Sequence, residues 1–370
     1  MKVSVVGAGI MGLCTAWAIA RQGHQVSVFE QGEIPNPLAS SCDRHRLIRY
    51  PYGNMAGYTR MVRDAYAAWD LLWQDIGHTL YIETGTLALA GTDAKWVEDS
   101  AAMLPELGIP MQRLTPDEVV KKCPFLKTTS LEWALFTPTG GALLADKILS
   151  ALADYLPGQG VALHSHTLVT EIDPIDGCLQ LQNGDKVSAD TIVVAAGPWV
   201  SRLVPEMGDR VTPSRQVVLY LEPPSQHRDL WVRSPMLLDI YGQAKDEGFY
   251  AVPPVGRIPM KVSDHCFTLE GNPDGDRQVT EAEIMALRNI CQKRIEDFEQ
   301  YQSTVAKSCF YTVEPEEKFI LEKIEKAWVL TGFSGHGFKF GALMGKAVAE
   351  TISGLKEPAE LSHWASGLTI

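Results

Sequence analysis

Apolar and polar positions are most regular at the start of the chain. Lys2 to Val6 is a short β-branched run that breaks at Gly7-Ala8-Gly9, and Ile10 to Gln22 then carries apolar residues at helical spacing until Gly23 ends the pattern. Gln25 to Glu30 alternates as a second strand, so residues 2–30 predict one βαβ unit, the opening of a doubly wound sheet. Gly57 to Asp75 repeats aromatic and apolar residues on one helical face, and Gly140 to Tyr155 reads as another helix. Val161 to Val200 holds three strand-like pieces; the last, Thr191 to Gly197, is apolar throughout, as a buried parallel strand should be.

From Val211 to Phe310 the text changes character. Strands at Arg215–Leu221, Gly248–Val252 and Met260–Val262 accompany one charged helix, Thr280–Tyr301, before the buried strand Ala327–Phe333 and the helix Gly341–Ile352. The fold class that follows is α/β: a doubly wound, Rossmann-type dinucleotide domain with an inserted α+β substrate domain whose sheet is mainly antiparallel. The dinucleotide domain is expected over 1–81, 141–210 and 312–370, and the substrate domain over 82–140 and 211–311.

Composition narrows the function. With 370 residues and 45% hydrophobic content the chain can bury a large core, and a formal charge of -12 disfavours nucleic acid and anionic lipid. No apolar run approaches the roughly 20 residues that span a bilayer. Seven scattered cysteines with no CxxC pair point to a reducing, cytoplasmic setting and to no metal site.

Two glycine-rich strings carry the chemistry. Gly7-Ala8-Gly9-Ile10-Met11-Gly12 is GxGxxG between strand and helix, which lets backbone approach a pyrophosphate at a helix N-terminus. Glu30, at the end of the second strand, can accept hydrogen bonds from ribose hydroxyls. An ordinary glycine turn would also read this way, and FAD and NAD suit the fingerprint equally. Gly332-Phe333-Ser334-Gly335-His336-Gly337-Phe338-Lys339-Phe340 again sets three glycines between a buried strand and a helix, either for a tight turn or for close approach to a planar ring.

The string GFSGHGFKF resembles the flavin-contacting signature of the monomeric sarcosine oxidase family, within the D-amino acid oxidase superfamily. Arg46-Leu47-Ile48-Arg49 with Tyr52-Gly53, Arg215 to Val218, Tyr250 to His265 and Cys309-Phe310-Tyr311-Thr312 are similar to further family segments, in order along nearly the whole chain. The resemblance implies an FAD-dependent oxidase of a secondary or N-methyl amino acid that gives an imine and hydrogen peroxide from O2, with a monomer as the first expectation; the alternatives are a flavin-dependent amino acid dehydrogenase passing electrons to a quinone or protein, and a non-catalytic flavin-binding protein.

It implies site residues as well. FAD would be held by Gly7, Gly9, Gly12, Glu30, Val169, Gly335, His336, Gly337 and Lys339, and bonded covalently through Cys309. Lys261, Arg46, His265 and Tyr250 would be catalytic, Lys261 assisting oxygen reduction; Arg49, Lys339 and Tyr311 would bind substrate. Arg46 and Arg49, three apart, are read as sharing one helical turn. Each also has a plainer reading: a small buried hydrophobe for Cys309, a solvated edge lysine for Lys261, a hydrogen-bonded wall histidine for His265, surface arginines for the pair. Ser41-Cys42-Asp43-Arg44-His45 departs from the family pattern, as do the bulky residues between Arg257 and Met260, so sarcosine itself follows less directly than the reaction type.

Overall fold

A computed structural model describes residues 1–92, 94–240 and 248–368. One sheet has six strands in the order Ile320–Ile324, Ala327–Thr331, Thr191–Val194, Lys2–Val6, Gln25–Phe29 and Ala162–His164. All pairings are parallel except at the Ile320–Ile324 edge. Thr191–Val194 and Ala327–Thr331 are buried at every position, which explains why their text is apolar rather than alternating. The helix Ile10–Arg21 is buried continuously from Ile10 to Ile19 and packs against Gly341–Ile352.

The second sheet has eight strands in the order Gln302–Val313, Thr212–Glu222, Met260–Asp264, Phe249–Val252, Met236–Asp239, Thr86–Ala90, Trp133–Thr137 and Gln112–Leu114. Only Met236–Asp239 with Thr86–Ala90 is parallel. Side chains alternate across this sheet. Met260, Val262, Phe249, Ala251, Leu219 and Leu221 enter one apolar core, so the intervening Tyr250, Lys261 and Tyr220 belong to the other face. That face carries the site.

Four expectations needed correction. Arg46–Ile48 is a strand, not a helical turn, and it pairs with Gly141–Leu143, which also pairs with Tyr81–Glu83. Gly141–Leu143 therefore cannot open a helix, and the helix expected from Gly140 spans Ala145–Gly158. The four apolar letters Gly-Ala-Leu-Leu fit either period; two flanking strands decide between them. The region 161–200 holds five short strands rather than three. Finally, the charged helix begins at Glu281, behind a Thr280–Glu283 capping box, and ends at Gln292, after which Ile295 bridges to Leu126.

Candidate active site

A cavity of about 460 Å³ opens at the C-terminal ends of the parallel strands, where Val6-Gly7, Phe29-Glu30, Ala195-Ala196 and Leu330-Thr331 leave the sheet. This is the crevice in which doubly wound sheets bind dinucleotides. Gly7 has φ +101°, and a Cβ there would lie 2.4 Å from the Ala195 carbonyl oxygen; a Cβ on Gly12 would lie 1.9 Å from the Gly7 oxygen. Only glycine closes that turn. Gly9, Ile10 and Met11 line the cavity, so the first turn of the helix presents N–H groups with no intrahelical partner. The Ile10 N–H donates to Ser41 Oγ, 2.9 Å. Glu30 is buried and held by the Ala8 N–H at 2.8 Å, the Asn36 amide at 2.8 Å and the Gly32 N–H at 3.1 Å, which fixes its carboxylate at the cavity edge.

A second cavity, of about 80 Å³, lies beside the first and shares Arg46, Tyr311, Gly335 and Phe338 with it. Arg46, Arg49, Lys261 and Lys339 line it against one acid, Asp264. Arg49 donates to the Pro51 carbonyl oxygen and stacks 4.7 Å from the Tyr52 ring centre and 5.3 Å from that of Trp96. Lys339 Nζ donates to Tyr52 Oη and the His336 carbonyl oxygen, both at 2.9 Å. Burial and the charge of Arg49 hold the Lys339 ammonium well below its ordinary range. His265 borders open cavity space, yet the surrounding protein, with Arg49 and Lys339, brings its imidazole down to about 4. Burial raises Tyr250 to about 12. Among the described residues this corner is thus positive, with Asp264 as its one acid, a fit for a carboxylate.

Behind the cavity wall is a knot of charge. Asp43, 5% exposed, places Oδ2 2.9 Å from Lys261 Nζ and 2.8 Å from an Arg46 nitrogen, while Oδ1 accepts from Tyr220. Lys261 is completely buried and also donates to the His45 carbonyl oxygen at 2.7 Å. Burial drives Lys261 down and the Asp43 carboxylate drives it back up, leaving it at about 8. Burial also pushes Asp43 up, but Lys261 and Arg46 outweigh it and hold the carboxyl far below its usual range. His45 is fully buried with neither ring nitrogen hydrogen-bonded among the described residues, and burial together with Lys261 takes it to about 3.

The sequence-named residues divide between these places. Gly7, Gly9, Glu30, Val169 and Gly337 line the larger cavity; Arg49, Tyr250, Lys261, His265, His336 and Lys339 line the smaller; Arg46, Tyr311 and Gly335 line both, and Gly12, packed on Gly7, lines neither. His336 and Lys339, expected at the cofactor, thus face only the smaller cavity. His336 Nδ1 lies 3.2 Å from Tyr52 Oη, and its ring packs on Tyr58 and Phe319. Cys309 stands two residues before Tyr311 and opposite Gln216, 5% exposed, and lines neither cavity; burial raises its thiol while Arg46 opposes. Arg46 and Arg49 meet at the smaller cavity although they share no helical turn, because Arg49 follows the strand's last residue, Ile48. Sequence reasoning gave no role to Tyr52, Tyr220 or Asp43. For Asp43, the signal available was an acid three residues before Arg46.

The larger cavity fits FAD on its own features: a glycine turn that only glycine can close at a helix N-terminus, a fixed carboxylate, and the buried Thr331 hydroxyl, a wall group with no hydrogen-bond partner among the described residues. Fold and site together define a dinucleotide-binding protein whose crevice adjoins a cavity lined by cations. Residues 2–351 match the family model for FAD dependent oxidoreductase (DAO), and the chain belongs to that family. It is 28% identical over 364 residues to the peroxisomal sarcosine oxidase of Homo sapiens, covering 94% of this chain and 90% of the relative. To the monomeric sarcosine oxidase of Bacillus sp. (strain B-0618) it is 25% identical over 361 residues, covering 94% and 91%. Among solved structures, the L-proline dehydrogenase from P. horikoshii superposes with a TM-score of 0.83 at 20% identity, covering 99% of this chain and 96% of that one, a likeness of fold. No helix among the described residues is long and apolar enough to cross a membrane.

Proposed function

We propose that this FAD-dependent oxidoreductase oxidises a small secondary or N-methyl amino acid, using O2 as acceptor and releasing an imine and hydrogen peroxide. The observation that carries the reading is the positive corner of Arg49 and Lys339 in a cavity that shares a wall with the dinucleotide crevice. FAD supplies the two-electron chemistry that takes a hydride equivalent from the substrate carbon and delivers it to oxygen. The protein holds the reactants and sets their charge.

Arg49, already oriented by Pro51, Tyr52 and Trp96, grips the substrate carboxylate, and Lys339 gains from it the counter-ion it lacks. The same cations, with Arg46, disfavour a proton on the substrate amine, so the amine sits neutral with its lone pair available. His265 and Tyr250 remain uncharged at neutral pH and add no competing ion. Lys261 opposes the negative charge that builds on oxygen as it is reduced. Gly7, Gly9, Gly12 and Glu30 would hold the diphosphate and ribose, Val169 would pack on the dinucleotide, and Gly335 and Gly337 would allow close approach of backbone to the ring. A thioether from Cys309, whose thiol lines neither cavity, would anchor the cofactor. The domain division drawn from the sequence and a cytoplasmic, monomeric enzyme complete the proposal.

The test is anaerobic mixing of the purified yellow protein with N-methyl and cyclic secondary amino acids and, in parallel, with the matching amines that lack a carboxylate. Bleaching by the first set and not the second is expected. Bleaching by the carboxylate-free amines with equal affinity, or by none of the compounds, contradicts the reading.

A further inference from the structure

Asp43 lines neither cavity, yet it touches the two cations nearest their common wall. We propose that Asp43 is a positioning residue for the oxygen step, its buried carboxylate fixing Arg46 at the boundary between the cavities and keeping the Lys261 ammonium charged there. This rests on the oxidase reading above.

The argument begins with cost. A fully buried ammonium is strongly disfavoured unless paired, and an arginine close by disfavours it further. Lys261 meets both conditions. Around it stand Asp43, His45 and Arg46 from the segment preceding and opening the strand Arg46–Ile48, Tyr220 from Thr212–Glu222, Tyr250 from Phe249–Val252 with its ring 5.9 Å from Nζ, and Cys309 from Gln302–Val313. Asp43 is the carboxylate in hydrogen-bond contact with Lys261, and Tyr220 and the Arg44 N–H brace it from behind. His45, neutral and without a hydrogen-bond partner for its ring, offers no substitute. With Asp43 uncharged, two cations would share a dry pocket, and lysine, the weaker base, would lose its proton.

Reduction of O2 to hydrogen peroxide takes two electrons and two protons, and the first electron puts negative charge on oxygen before any proton arrives. A charged Lys261 stabilises that moment; a neutral one does not. Since Lys261 stands at about 8, the oxygen step should be fast below that pH and fall above it, as the ammonium is lost with rising pH.

The experiment uses holoenzyme reduced with dithionite and then mixed with oxygenated buffer from pH 5.5 to 10, so that no amine substrate is involved. Failure of the amine reading would show separately, as absence of bleaching by amines. Asp43→Asn should move the break at least one unit toward acid, slowing reoxidation at pH 7.5 by about three-fold or more and recovering at pH 5.5. Lys261→Met should be slow at every pH. Tyr220→Phe, which leaves the carboxylate charged, should show no acid shift. The visible spectrum of the oxidised, bound flavin, titrated over the same range, should show the same displaced midpoint in Asp43→Asn and none in Lys261→Met. An Asp43→Asn profile superimposable on wild type overturns the proposal, as does an equal loss at every pH in Asp43→Asn and Tyr220→Phe, the mark of a merely structural role. If Asp43→Asn takes up no flavin, the unsubstituted enzyme still decides: a break near pH 8 that Lys261→Met abolishes supports the proposal, and a Lys261 already neutral at pH 6 overturns it.

Discussion

Replacing Arg49 by glutamine is the sharpest probe of how the substrate is held. The substitution keeps a hydrogen-bonding end on a shorter side chain but removes the charge and the stacking on Tyr52 and Trp96, 4.7 and 5.3 Å away. A hydrogen bond to a charged group contributes about 1.5–3 kcal/mol, which at about 1.4 kcal/mol per decade is roughly ten- to a hundred-fold in affinity. One compensation lowers the figure. Arg49 is a cause of the depressed Lys339 ammonium, so its loss lets Lys339 carry more charge and recover part of the attraction. The expectation is a ten- to thirty-fold rise in Kd, with the limiting rate of anaerobic flavin bleaching altered far less. Rapid mixing over a range of substrate concentrations separates the two. An unchanged Kd with a reduced limiting rate would refute carboxylate binding by Arg49, and an equal loss for a carboxylate-free amine would do the same.

Other expectations are more compact. Cys309→Ser should release the yellow colour into the supernatant on acid precipitation, whereas the unsubstituted protein keeps it in the pellet; colour in the supernatant from both removes the thioether. Gly335→Ala forces φ +77° on a residue with a Cβ and sets that atom 2.3 Å from a Tyr311 ring carbon, so it should destabilise the fold by at least about 1 kcal/mol and lower flavin content, read from a thermal melt and the absorbance ratio. Lys261→Met should gain stability relative to wild type most clearly near neutrality. The Lys261 pKa of about 8 in the fold lies below that of the unfolded chain, so the unfolded state binds more protons between those values, and wild-type stability should catch up with the variant from pH 8 to 10. Chemical denaturation at three pH values checks the sign.

How much of this was legible in the sequence varies with the range of the interactions involved. The opening βαβ unit was, because its strand, turn and helix are specified by neighbours: Lys2–Val6 matches to the residue, and the glycines do local steric work. Period two put Lys261 and His265 on one face, and Met260 and Val262 enter the core from the other; that the Lys261 face looks into a site was implied only by the resemblance. The Arg46–Arg49 segment was misread because three residues fit either period, and its strand exists only through pairing with Gly141–Leu143 about 95 residues later. Asp43 was hidden for a related reason. In a polar loop an acid reads as solvated, and the partners that bury it, Tyr220 and Lys261, lie 177 and 218 positions along the chain. His336 and Lys339 sit in and just after a glycine turn of which Gly337 lines only the larger cavity, while these two side chains line only the smaller, a division that spacing alone does not encode.

The central claim, a flavin enzyme that passes electrons from a small amino acid to oxygen, is tested most directly by stoichiometry. Oxygen consumption and hydrogen peroxide are measured together during turnover of the best substrate from the anaerobic panel, with catalase added at the end. The account expects one peroxide for each oxygen and each amino acid consumed, half the oxygen returning with catalase. Amino acid turnover that requires an added quinone or dye and yields no peroxide would contradict it.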